Sequence, residues 1–257
     1  MLDQPARERI FNVPAVVVAI VAALCIIHAV VALMMTERQT TDFLLLFAFV
    51  PARYDPSVLP GADWPGGVAA NIWTFVTYAL IHGDLSHLFF NAVWLLAFGT
   101  PVARRFGTLR FLWFFIATAA GGAAVHLATH FGELLPMVGA SAAISGAMAA
   151  AMRFAFQRGG PLDLLGRGEG GYRAPAASLA ESFRDPRVLA FLLVWFGLNA
   201  LFGLTSFTMP GMENAVAWQA HIGGFAVGLL AFALFDPVPR TPPASEEQMR
   251  DDQETHH

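Results

Sequence analysis

The chain has no lysine, a single cysteine, and charge on only 13 % of its 257 residues. With Cys25 alone, no intrachain disulfide can form, so the fold has to stand on packing. The low charge, beside 56 % hydrophobic residues and a mean hydropathy of +0.55, argues against a soluble domain and for a membrane protein. The net charge of -4 says little about partners, because much of it lies in the acidic stretch after Asp236, and no nucleic-acid partner is expected. No cleavable secretory signal is expected either, since the first apolar run is too long and lacks a convincing cleavage site.

What is present is a series of apolar runs, several reaching the roughly 17 to 25 residues that cross about 30 Å of hydrocarbon. An all-α membrane bundle of six spans over residues 14–236 is expected. The spans run from about Pro14 to Met35, Ser86 to Val102, Phe111 to His130, Gly139 to Phe156, Val188 to Ser206 and Asn214 to Phe235. Residues 1–13 form a short segment before them. Residues 36–72 contain Pro51, Pro56, Pro60 and Pro65 and an apolar run too short to cross. They are expected in the interface or re-entering the bundle's rim, with Trp64 and Trp73 at headgroup depth. Residues 157–187 read as a flexible Gly- and Arg-rich loop, and 237–257 as a disordered acidic tail. All 15 basic residues are arginine, and with the N-terminus inside only Arg38 and Arg53 fall outside. That bias puts both termini in the cytoplasm.

The stretch around which the rest is organised is 139–151, in which every residue except Ile144 and Met148 is Gly, Ala or Ser. Side chains this small offer lipid little contact, so the segment is expected at the centre of the bundle, where close backbone approach supplies the packing. Ser141 sits in its first turn. A hydroxyl there is either a cap or a nucleophile.

Orientation decides which polar groups can meet. Spans two, four and six run from outside to inside, so residues near their starts share a depth. His87 and Asn91 open span two, Ser141 opens span four, and His221 lies about seven residues, or about 10 Å, into span six. A hydroxyl, an imidazole and two hydrogen-bond donors are the parts of an acyl-transfer site. Serine needs a base because its hydroxyl is a poor nucleophile at neutral pH, and His221 is the candidate. His87 and Asn91, at i and i+4, share a helical face from which both could donate to a developing oxyanion. The Ser141 backbone N–H, in a first helical turn, would be a third donor. Any single membrane serine is more often a back-bonded or interhelical contact. Gly223, Gly224 and Gly228 also fit generic helix packing, and His28 and His126 fit packing or interhelical hydrogen bonds, with His130 interfacial. The shared depth favours the catalytic reading. His221, Gly224 and Gly228 form one stripe that is expected to meet the thin face of span four.

His82, His87 and Asn91 fit the pattern H-x4-H-x3-N; Gly139-Ala140-Ser141-Ala142 fits G-x-S-x; and the segment from Ala220 to Gly228 fits A-H-x-x-G-x-x-x-G. In this order and on these spans, they resemble the rhomboid intramembrane serine proteases. The resemblance implies a rhomboid-like bundle with an outward-opening, water-filled cavity, a Ser141–His221 dyad without a third acid, and His87 and Asn91 near the oxyanion. It implies supporting roles for His82 and Gly139, and no metal or cofactor. Substrates would be single-span membrane proteins cut within or beside their transmembrane helix in the lipid bilayer, and the setting a bacterial inner membrane. Two positions depart from the pattern. Ala142 stands where glycine is common, which would tighten the oxyanion pocket. Ser145 stands where an aromatic residue often stacks on the histidine, so the imidazole must be held some other way; Ser145 is also a rival nucleophile.

Two other readings compete. A catalytically silent rhomboid-fold protein that binds transmembrane clients would not need Ser141 and His221 together. A His-lined transporter would call for acidic ligands and paired broken helices, but spans three to six have no Asp or Glu in their middles. Oligomeric state is not legible in the chain.

Overall fold

A computed structural model describes residues 13–61, 63–162, 169–204 and 216–239. The expectations for residues 1–12, for the middle of the 157–187 loop, for the end of span five and start of span six, and for the tail beyond 239 lie outside these residues. The described residues are helical apart from loops and one isolated antiparallel bridge, Phe49 with Met137.

The first helix, α1 (Ala15–Met34), starts just after Pro14, where a residue without an N–H suits a helix end. It presents few buried residues, as a peripheral lipid-facing span should. The loop that follows is more ordered than its prolines suggest. It holds α2 (Glu37–Phe47), opened by a Thr36–Gln39 capping box, and α3 (Gly67–Thr77), with a 3₁₀ turn (Pro51–Tyr54) between them. Arg53 ties it together, donating to the carbonyls of Leu45 and Pro65 with its guanidinium 5.1 Å from the Trp64 ring centroid.

The next span is continuous from Leu85 to Phe106 but changes pitch within itself. It comprises α4 (Leu85–Trp94), a π turn (Leu95–Gly99) and α5 (Thr100–Phe106). Pro101 explains the wide turn, because its ring clashes with the carbonyl four residues earlier, within Leu95–Gly99. Gly107, at φ +77°, then lets the chain reverse into α6 (Thr108–Thr129).

The fourth apolar stretch forms only α7 (Ser141–Ala151), 11 residues long and buried from Ala142 onward. At about 16 Å it is too short to cross hydrocarbon alone. The expected continuation to Phe156 instead tightens into i→i−3 bonds, Arg153 N to Ala150 O and Phe154 N to Ala151 O, both at 3.1 Å. Hydropathy misses this because the turn is set by Arg153, whose buried guanidinium donates to the carbonyl of Ala177 at 2.7 and 2.9 Å. The short helix α8 (Leu179–Ser182), α9 (Pro186–Leu204) and α10 (Trp218–Phe235) complete the order. Four helices among the described residues, α1, the α4–α5 span, α6 and α10, are long and apolar enough to cross a membrane.

The core is the three-helix packing of α6, α7 and α10. A Cβ on Gly224 would overlap the backbone carbonyl of Ala142, and one on Gly228 would lie 2.5 Å from the Cα of Gly146. A Cβ on Gly223 would likewise lie 2.6 Å from the Gly121 carbonyl oxygen of α6, so three helices rather than two share the small-residue seam. At the end of α10 away from His221, Arg105 makes a bidentate ion pair with Asp236 at 2.8 and 2.9 Å and donates to the carbonyls of Tyr172 and Ala174. These arginine contacts pin the described part of the 157–187 loop. A carbonyl that accepts from a distant arginine leaves no mark in local sequence.

Gly224→Val should therefore be far worse than Ala226→Val on the same helix, where residue 226 is exposed. Overpacking typically costs about 1–3 kcal/mol, and here the obstacle is backbone, so the melting temperature in detergent should fall by at least about 5 °C. Equal melting of the two variants would show that α7 and α10 do not meet at Gly224.

Candidate active site

Ser141 is the first helical residue of α7, and no side chain caps that helix end. Its position depends on the residues just before it. Met137 is bridged to Phe49 by two hydrogen bonds of 2.8 and 3.1 Å, and the Gly139 N–H donates to the carbonyl of Tyr78 at 3.0 Å. Tyr78 is itself buried, its hydroxyl donating to Ala119 O at 2.9 Å. Gly139 has φ +117°, and a Cβ on it would stand 2.6 Å from His87 Nε2. Glycine is thus required there by backbone conformation and by the His87 ring lying against it.

His87 is set by the start of α4. Asp84 caps the helix, accepting from the His87 N–H at 2.7 Å and the Ser86 hydroxyl at 2.6 Å. Partial burial alone would raise the Asp84 carboxyl, but these hydrogen bonds outweigh it and hold the group below the usual carboxylate range. The His87 ring meets His82 edge to face, with centroids 5.0 Å apart. His82 is buried with no hydrogen-bond partner on either ring nitrogen among the described residues, and its carbonyl is 3.2 Å from His28 Nδ1. Burial first, then repulsion from His87 and His28, push the His82 imidazole down to about 3, so it is neutral at ordinary pH. Asn91, one turn beyond His87, is buried and donates from Nδ2 to the His87 carbonyl at 2.9 Å; its Oδ1 has no partner among the described residues.

His221, in the first turn of α10, is brought to Ser141 by the glycine seam. Its Nε2 lies 2.8 Å from Ser141 Oγ. Its Nδ1 lies 2.8 Å from Oδ1 of Asn199 on α9. Ser145, the rival hydroxyl, is 3 % exposed and donates to the Ser141 carbonyl at 2.8 Å, the ordinary back-bonded state of a helical serine. The Ala142 methyl is buried against α6 at Gly122, where another Cβ would overlap it. Among the described residues no three His, Cys, Asp or Glu side chains are grouped to hold a metal ion.

The structure thus brings Ser141 and His221 into contact and sets His87 beside the loop leading to Ser141, with Asn91 a turn behind. Gly139, Gly224 and Gly228 lie at close approaches. Sequence reading passed over Asn199 and Tyr78. Asn199 did carry a signal, as a lone amide inside an otherwise apolar span, where polar side chains are costly unless paired. Tyr78 carried none, since its contribution is a backbone carbonyl.

A helical, multi-pass membrane protein with a serine and a histidine hydrogen-bonded between two buried helices is the class that fold and site define. The rhomboid domain model matches residues 69–237. The chain belongs to the rhomboid family. It is 28 % identical over 196 residues to "Rhomboid protease GlpG" of Enterobacter sp. (strain 638), covering 74 % of this chain and 59 % of that one. It is 30 % identical over 191 residues to the protein of the same name from Pectobacterium atrosepticum, covering 73 % and 57 %. It is also 28 % identical over 171 residues to "RHOMBOID-like protein 12, mitochondrial" of Arabidopsis thaliana, covering 64 % and 47 %. The matches thus span roughly half to three fifths of those relatives' lengths.

Two substitutions test this framework. Asp84→Ala should cost about 1 kcal/mol, read as a lowered melting temperature. Because the folded-state carboxyl is depressed, the wild-type advantage should be complete above the unfolded carboxylate range and vanish as pH falls through the folded value. Gly139→Ala should cost about 1–3 kcal/mol more than Gly61→Ala. Both glycines have positive φ, but nothing lies within 4 Å of a Cβ at Gly61, so a matching loss would remove the His87 contact as the cause.

Proposed function

We propose that this protein is an intramembrane serine endopeptidase that cuts single-span membrane proteins within or next to their transmembrane segments. The observation that carries the reading is the 2.8 Å approach of Ser141 Oγ to His221 Nε2, in a half-buried position at the start of two helices. It is supported by family membership and by relatives named as rhomboid proteases.

In this reading His221 Nε2 takes the Ser141 proton as Oγ attacks the scissile carbonyl carbon. The tetrahedral oxyanion is met by the Ser141 backbone N–H, which precedes the first intrahelical bond of α7, Ile144 N to Ala140 O. His87 and the second N–H of Asn91 are the further donors. Collapse of the intermediate breaks the C–N bond, and the imidazolium gives its proton to the leaving amine. Water, activated by the same imidazole, then hydrolyses the acyl-enzyme. No cofactor is invoked. Six spans in residues 14–236, both termini cytoplasmic, the loops 36–72 and 157–187 on opposite sides, and a bacterial inner membrane complete the proposal.

Incubation of the detergent-solubilised protein with a fluorophosphonate should label Ser141 alone, mapped by mass spectrometry. Ser141→Ala and His221→Ala should each abolish labelling and cleavage of a model transmembrane substrate, while Ser145→Ala keeps both. Asn91→Ala should retain labelling and lose on the order of 10² to 10³ in kcat. A wild-type protein that neither labels nor cleaves, yet retains bound transmembrane segments, would replace the protease with a client-binding protein.

A further inference from the structure

The Ser141–His221 pair has a third member on a different helix. Asn199, 7 % exposed within the apolar α9, has its Oδ1 2.8 Å from His221 Nδ1 and its Nδ2 2.8 Å from the carbonyl of Trp195, one turn earlier. We propose that Asn199 is a positioning residue that holds His221 in the tautomer able to accept the Ser141 proton. This rests on the endopeptidase reading of the same site.

The chemistry of the four atoms leaves one self-consistent arrangement. A backbone carbonyl only accepts, so the amide end facing Trp195 O must be the NH₂. The end facing His221 is then the carbonyl oxygen, also only an acceptor. His221 Nδ1 must therefore carry the proton. In a neutral imidazole this leaves the lone pair on Nε2, the atom 2.8 Å from Ser141 Oγ. With the proton on Nε2 instead, the Asn199 contact would set acceptor against acceptor, and Ser141 Oγ would accept a hydrogen bond from the ring rather than give up its proton. Once Nε2 is protonated during reaction, the Asn199 oxygen accepts from an imidazolium, a stronger charge-assisted bond.

The surroundings fit this task. Ser145, the next residue on the Ser141 face of α7, is committed to the Ser141 carbonyl. The register of α9 on α10 is set one turn deeper, where Trp195 stacks on Phe225 with centroids 4.4 Å apart. Asn199 and Trp195 are i and i−4, and His221 and Phe225 are i and i+4, so two adjacent rungs join the helices. The aromatic rung packs them and the polar rung orients the imidazole. An amide also suits an apolar span better than a carboxylate, because it orients the ring without burying a charge.

The test uses the full-length protein in detergent, with wild type, Asn199→Leu, which keeps the size but not the acceptor, and Asn199→Asp, which restores an acceptor. Fluorophosphonate labelling, kcat and KM on a model transmembrane substrate, and ¹⁵N-histidine spectra are recorded, with His221→Gln identifying the His221 signals. The wild-type spectrum should show the His221 proton on Nδ1. Asn199→Leu should lose on the order of 10² or more in kcat with KM unchanged, and Asn199→Asp should recover most of it. A His221 proton on Nε2 in the wild type would overturn the proposal even if a variant fails to fold. So would a kcat for Asn199→Leu within about threefold of wild type, or an Asp variant no better than Leu. If wild-type Ser141 does not label, the endopeptidase reading fails instead.

Discussion

Close approach of backbone to backbone is the constraint on which this molecule depends. Apolar side chains gain nothing by leaving lipid for another apolar surface, so membrane helices associate through van der Waals contact and interhelical hydrogen bonds. Here α10 lies so near α7 that Gly224 and Gly228 have no room for a methyl group against Ala142 and Gly146. On its other side, Gly223 faces the backbone of α6 at Gly121. These contacts bring the starts of α7 and α10 together, and a 2.8 Å hydrogen bond between Ser141 and His221 is possible only because the axes are that close.

The remaining geometry is delivered by loops. A serine at a helix start can face many ways. In this protein the pre-serine loop is tied to Phe49 and to the Tyr78 carbonyl, and Gly139 leaves room for the His87 ring. The His87 backbone is in turn capped by Asp84. The His87 and Ser141 sides of the site are thus joined through one glycine. At the opposite end of α10, the Arg105–Asp236 pair and the Arg153 contacts tie α5, α7 and α10 to the following loop through charge-assisted hydrogen bonds.

Much of this is legible in the sequence. Apolar run lengths marked the helices, and the small-residue stretch at 139–151 announced a buried central helix. A shared depth at the starts of three parallel spans grouped Ser141, His221, His87 and Asn91. The reasons are local or periodic: hydrophobicity, side-chain size and the 3.6-residue repeat are properties of the chain itself. Helix ends were less legible. The shortening of α7 depends on Arg153 reaching Ala177, and the π turn depends on how Pro101 is accommodated within a continuous span.

The sequence by itself determined that this is a helical membrane protein, which helix is central, and which hydroxyl and imidazole could pair. Only the tertiary structure decided that Ser145 is occupied by its own helix, that the Ala142 methyl packs against α6, and that the second imidazole nitrogen of His221 faces Asn199. Those three outcomes turn on ångström-scale distances between segments far apart in the chain. Hydropathy and spacing report the depth and face of a residue, but not which neighbour on another helix it touches.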